Sequence, residues 1–183
     1  MSEHDDPGTR VGVSGHRHLH VDDALVHAVD DALARCERLP GPWTLVEGLA
    51  IGADALVAQR ALARAGWSLD ALLPLPLAEY AADFSPDERS QLDALVARAS
   101  RVAAVDGPRE RPACYAAQGA AVVHASDLLL ALWNGAPARG PGGTAEVVAC
   151  ARDAGRRLLW LEVPDARDDA PRLPVLHEEG PWA

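Results

Sequence analysis

Apolar positions in this chain follow two alternating rhythms. Short continuous apolar runs stop at glycine or proline, and between them lie longer stretches with an apolar residue every third or fourth position. Arg10 to Val13 is the first run, and it turns at Ser14-Gly15-His16-Arg17. Val21, Leu25, Ala28, Val29, Ala32, Leu33 and Cys36 then carry helical spacing, with Asp22 and Asp23 placed early, where a helix dipole favours negative charge. Pro40-Gly41-Pro42 ends that helix. Trp43 to Val46 predicts a second strand, and a helix with the stripe Ile51, Ala55, Ala58, Leu62 and Ala65 follows the turn Glu47-Gly48.

The alternation continues to about residue 163. Leu69 to Leu73 is a third strand, stopped by Pro74 and Pro76, and Ser85-Pro86-Asp87-Glu88 opens a helix with a cap residue, a proline and acids in its first turn. Arg101 to Val105 is a fourth strand, and Tyr115, Gln118, Gly119, Val122 and Ser126 mark one face of the helix after it. Leu128 to Trp133 is a continuous apolar fifth strand. Gly135 to Gly143 breaks the chain, Thr144, Val147, Val148, Ala151 and Ala154 form the last helical stripe, and Arg157 to Val163 is a sixth strand. Continuous apolar strands alternating with helices predict an α/β fold, a mostly parallel central sheet covered on both faces with right-handed crossovers. Ligands in such folds bind beyond the carboxyl ends of the strands, so the turns at Gly15, Gly48, Pro76, Asn134 and Gly142 are expected along one concave edge.

Composition narrows this picture. A length of 183 residues suits one domain, expected over 9–164, with a flexible lead at 1–8 and an irregular, Pro- and Asp-rich tail at 165–183. Lys and Arg number 17 against 27 Asp and Glu, a net charge of -10, which disfavours function through non-specific attraction to nucleic-acid phosphates. Cys36, Cys114 and Cys150 are too few and too scattered for a disulfide framework or a zinc site. The acidic N-terminus lacks the pattern of a signal peptide, and no apolar run approaches the ~18 residues of a membrane span, so a soluble cytoplasmic protein without membrane association is expected.

Three segments carry candidate chemistry. Gly140-Pro141-Gly142-Gly143-Thr144 lies between a buried strand and a helix, where backbone amides and a hydroxyl can face an anion at the positive helix end. Gly15, His16 and Arg17 form a second turn, in which a planar guanidinium can grip phosphate. His16, His18 and His20 alternate there, but nothing fixes a coordination geometry and no metal is assigned. Glu47 and Gly48, with Asp54 at the next helix start, form the third, where carboxylates can accept hydrogen bonds from ribose hydroxyls. Tyr80 and Asp83, after the Pro74–Pro76 stop, can close over a base, and Asn134 sets a polar side chain just beyond the fifth strand.

In order, Val11-Gly12-Val13-Ser14-Gly15-His16-Arg17, Glu47-Gly48-Leu49-Ala50-Ile51-Gly52-Ala53-Asp54-Ala55, Leu73-Pro74-Leu75-Pro76 with Tyr80 and Asp83, Ser126-Asp127 before the fifth strand, and Gly142-Gly143-Thr144 resemble segments of the SLOG superfamily. That group joins the DprA/Smf proteins, the LOG phosphoribohydrolases and related nucleotide-ligand sensors. The resemblance implies a Rossmann-like three-layer α/β/α fold and a nucleotide or NAD-derived ligand, held by Gly15, His16, Arg17, Gly48, Asp54, Pro76, Tyr80, Asp83, Asn134, Gly142, Gly143 and Thr144. It assigns no cofactor and does not fix an activity. A sensor is the leading expectation, and a nucleotide N-glycosidase using Glu47 or Glu146 is the alternative. A DprA-like single-strand binder ranks third, since no Lys/Arg stripe is evident. LOG enzymes place the acid three residues after the threonine, whereas here Glu146 follows Thr144 by two, a rotation of about 100° on a helix. Ligand identity, partner proteins and oligomeric state, a homodimer included, stay open.

Overall fold

The computed structural model describes residues 8–108, 110–138, 140–167, 169–180 and 182. Residues 1–7 of the expected lead lie outside them. The elements run β1 (Thr9–Gly15), α1 (Asp23–Cys36), β2 (Trp43–Glu47), α2 (Ala53–Ala61), β3 (Trp67–Leu73), α3 (Leu77–Tyr80) with a 3-10 turn at Ala81–Asp83, α4 (Pro86–Val96), β4 (Arg101–Ala104), α5 (Arg111–His124), β5 (Leu128–Trp133), α6 (Thr144–Asp153), β6 (Arg157–Glu162) and β7 (Val175–Glu179). The fold is a Rossmann-like three-layer α/β/α arrangement around one seven-stranded sheet of order β4-β3-β2-β1-β5-β6-β7. Every pairing is parallel except β6 with β7.

β5 shows why the sheet needs helices on both sides. All six of its residues are buried. Leu128, Leu130 and Leu132 join the core that α1, α2 and α4 cover, while Leu129, Ala131 and Trp133 join a second core with Val147, Val148 and Ala151 of α6 and Val123 of α5. A strand with apolar residues on both pleats is stable only between two such layers.

Local chemistry sets the helix starts. The Asp22 carboxylate accepts the Leu25 N–H at 2.8 Å, and α1 buries the stripe Leu25, Val29, Ala32, Leu33 and Cys36. Ser85 and Glu88 form a reciprocal capping box at α4, with Pro86 in its first turn.

The C-terminal segment corrects the expectation of an irregular tail. Val175–Glu179 adds an antiparallel edge strand, in register from Glu162 opposite Val175 to Leu158 opposite Glu179. Its sequence hides it, since Val-Leu-His-Glu-Glu offers only two apolar residues and none of the strand is fully buried. Ion pairs and an aromatic contact hold it instead. Arg35 donates to Glu178 at 2.7 Å, Arg152 clasps Glu179 at 2.9 and 2.7 Å, and the His177 ring stacks on Trp160 with centroids 4.6 Å apart. None of the described helices is long and apolar enough to cross a membrane.

Candidate functional site

β1 lies between β2 and β5, and the connections from β1 and β5 leave for opposite faces of the sheet. At their carboxyl ends this reversal opens a cavity of about 400 Å³. The turns after β1, β2 and β5 line it, as expected. It is also lined by Pro74 and Tyr80 after β3, by Tyr115 and Gln118 of α5, and by Asp165 and Arg167 beyond β6.

One end of the cavity is the N-terminus of α6. Gly142, Gly143 and Thr144 line it, Gly143 is the N-cap, and no side chain caps the helix. Among the described residues neither the Thr144 and Ala145 N–H groups nor the Thr144 hydroxyl has a hydrogen-bond partner. Free amides at a positive helix end favour an anion. The neighbouring amide is already engaged. Gly142 N–H donates to the Glu146 carboxylate at 2.7 Å, so Glu146 ties down the loop from an exposed position and does not line the cavity.

At the other end the chain after β1 crosses the start of α2. Gly52 takes φ +82°, and an added Cβ would stand 2.4 Å from the Arg17 carbonyl oxygen and 2.5 Å from that of His16. Ala53 N–H donates to the same His16 oxygen at 3.0 Å. The contact holds the Gly15–Arg17 turn against α2 and so fixes where Arg17 begins. Arg17 is exposed, lines the cavity, lies 5.9 Å over the Phe84 ring and has no ion-pair partner among the described residues.

Two buried carboxyl groups, Glu47 at the end of β2 and Asp54 in the first turn of α2, have different surroundings. Asp54 lines the cavity and accepts the Ala50 N–H at 3.2 Å. Burial pushes its pKa up to about 7, against the opposing pull of the Ala50 and Gly48 amides and the Arg17 charge. Glu47 is fully enclosed, outside the cavity lining, and neither of its oxygens has a partner among the described residues. Burial first, and the Asp54 charge second, hold its pKa well above the usual carboxylate range. Enclosure therefore favours the neutral form of Glu47.

The other expected residues divide between cavity and framework. Gly15, His16, Gly48 and Tyr80 line the cavity, with Tyr80 edge-on to Phe84 at 4.9 Å. Asn134 lines it too, but its polar atoms build the loop. Its N–H donates to His16 Nε2 at 3.0 Å, its Nδ2 to Asp169 at 2.9 Å, and its Oδ1 accepts the Ala136 N–H at 3.1 Å. Pro76 is exposed outside the cavity, where its carbonyl accepts the Glu79 and Tyr80 N–H groups. Asp83 also stands outside, bound to the Arg111 guanidinium and the Tyr115 hydroxyl, so it pins the 3-10 turn to α5. The alternating histidines differ: His16 meets Asn134, His20 meets the Asp169 carbonyl at 3.1 Å, and His18 is exposed at the edge of the cavity it helps line.

Sequence reasoning did not single out Asp165 and Arg167. Asp165 is buried, its carboxylate takes two hydrogen bonds from the Arg167 guanidinium, and that pairing holds its pKa far below the usual range. His16 Nδ1 stands 3.7 Å from it. Asp165 follows the last parallel strand, so the strand-end rule that selected Asn134 applies equally to it. The aperiodic Pro- and Asp-rich sequence masked the signal.

No family model and no curated protein matches the chain. The reading of the site therefore rests on its geometry.

Proposed function

We propose that the cavity binds a phosphate-bearing nucleotide or nucleotide-derived molecule, and that the chain is a SLOG-like ligand-binding domain. One observation carries the reading: amides at the start of α6 and an Arg17 guanidinium, both without a hydrogen-bond or ion-pair partner among the described residues, share a cavity with the carboxyl group of Asp54. The first two suit an anion. Asp54 suits hydroxyl donors such as those of a ribose, and Tyr80 and Tyr115 offer aromatic surface for a base. A nucleotide presents all three kinds of group. A volume of about 400 Å³ falls within the usual range of small-molecule sites.

Arg17→Ala tests the anion end. A charge-assisted contact to phosphate contributes about 1.5–3 kcal/mol, so affinity for the best-bound nucleotide should fall roughly 10- to 100-fold. The melting temperature should move by less than about 2 °C, because the side chain is exposed. Equal relative losses in both would make Arg17 a structural residue.

Asp54 supports a second reading, N-glycosidic hydrolysis. A carboxyl group that lines the cavity with a pKa near 7 is suited to proton transfer at neutral pH. The departing base would take the Asp54 proton as the C–N bond breaks, and water would add to the anomeric carbon and give up one proton to the Asp54 carboxylate, which restores the acid. Incubation with nucleotides and chromatography for released base separates the two readings. Release abolished by Asp54→Asn supports hydrolysis, and binding without release supports a sensor.

A further inference from the structure

We propose that ligand binding in this cavity expels a proton from Asp54, so that occupancy of the site depends on pH across the neutral range. The proposal rests on the binding reading above and concerns a property that reading does not require.

The geometry that carries it is a nearly buried carboxyl group that lines one end of a cavity, with a second, fully enclosed carboxyl group within reach of its charge. Asp54 faces the cavity from the first turn of α2, and Glu47 stands at the end of β2, fully enclosed and without a hydrogen-bond partner among the described residues. Buried polar groups are nearly always paired, and two adjacent carboxylates without counter-charge do not both ionise. Glu47 is fully enclosed, and its enclosure favours the neutral form. Asp54 has the Ala50 amide, the Arg17 guanidinium and the open cavity on its other side, so it is the member whose charge a ligand can change.

The remaining charged groups around α2 leave this assignment intact. Tyr80 of α3 and Tyr115 of α5 have hydroxyl pKa values raised chiefly by burial, so both stay neutral. On α1, Asp30 is bound to Arg60. On α4, Glu88 accepts the Ser85 N–H and Arg89 donates to the Ala81 carbonyl. His16 and His18 also line the cavity, the His16 ring between the Asn134 N–H and, at 3.7 Å, the Asp165 carboxylate, and the Asp54→Asn comparison below separates their contribution from that of Asp54.

The sign follows from the ligand's chemistry. Hydroxyl donors bind the ionised carboxylate and lower its pKa, so below neutrality the site must lose a proton before it fills. With the free group near pH 7, about nine-tenths of Asp54 is ionised at pH 8 and about one-tenth at pH 6. Affinity should therefore weaken roughly tenfold between those values. An amine-bearing ligand would show the same pH dependence only if it also faced Asp54, so the variant below decides for either.

ADP-ribose is the probe, because its two phosphates carry no ionisation between pH 6 and 8 and its ribose hydroxyls are free. Calorimetry at pH 8, 7 and 6 should show the tenfold weakening, and runs at pH 6.5 in two buffers of different ionisation heat should show release of more than half a proton. Asp54→Asn should bind more weakly at pH 8 and with one affinity from pH 6 to 8. A wild-type affinity flat across the range, or an equal slope in Asp54→Asn, overturns the proposal while leaving the binding reading in place. No binding of ADP-ribose, AMP or NAD at any pH overturns both. A carbon-13 titration of the Asp54 carboxyl in the ligand-free protein checks the starting state independently. A midpoint near 7 is expected, and one below 5 contradicts the proposal.

Discussion

Gly52→Ala should lower stability by more than about 3 kcal/mol, or roughly 6–12 °C in melting temperature for a chain of this size. Gly155→Ala should cost only about 1 kcal/mol. Both glycines have positive φ, +82° and +64°, so both substitutions carry the strain of an L-residue in that region. Only at Gly52 does the new Cβ meet backbone, at 2.4 Å from the Arg17 oxygen and 2.5 Å from that of His16, whereas at Gly155 nothing lies within 4 Å. The Gly15–Arg17 turn must move away from α2, and the Ala53 bond to His16 lengthens with it. The difference between the two variants, measured by thermal or denaturant unfolding, reports the close approach that positions Arg17. Equal losses would mean that the crossing of these turns contributes nothing.

Glu47→Gln should stabilise the protein, and more so as the pH rises. In the unfolded chain Glu47 ionises near its ordinary pKa of 4.5, while burial raises that pKa in the folded state and favours the protonated form. The folded protein therefore binds more protons than the unfolded one above that pH. Each further unit costs up to ~1.4 kcal/mol until the folded-state pKa is reached. Glutamine has the same shape and no proton to hold. Near pH 4 the two proteins should unfold at similar temperatures, and the lead of the variant should grow as the pH rises from there. Parallel curves for the two proteins across that range would show that Glu47 is not a buried neutral acid.

Legibility in the sequence tracked the strength of the local signal. β5 was bounded to the residue because Leu-Leu-Leu-Ala-Leu-Trp is apolar on both pleats and polar at each end. Ser85 was readable as a cap because its partners, Pro86 and Glu88, follow within three residues. β1 runs two residues past Val13, since its pairing with β5 continues through Ser14 and Gly15 although apolar character stops. β7 was invisible because long-range ion pairs hold it. The glycine turns marked the cavity because strand ends converge by topology alone. Hydrogen-bond partners were beyond the reach of spacing arguments: Asn134 to Asp169, Glu146 to Gly142 and Asp83 to Arg111 each join side chains to groups that only the fold brings near. The same holds for Glu47, whose strand position was clear and whose complete enclosure was not.

Thr144→Glu tests the central claim most directly. Residue 144 opens α6, where a carboxylate interacts favourably with the helix dipole, so the variant should be at least as stable as the wild type. The same carboxylate would occupy the anion position between the free amides and repel a phosphate. Affinity for AMP, ADP-ribose and NAD, measured by calorimetry at pH 8, should fall at least 100-fold with the melting temperature unchanged or raised. Wild-type binding of a nucleotide that persists undiminished in folded Thr144→Glu would contradict the placement of the phosphate at the start of α6.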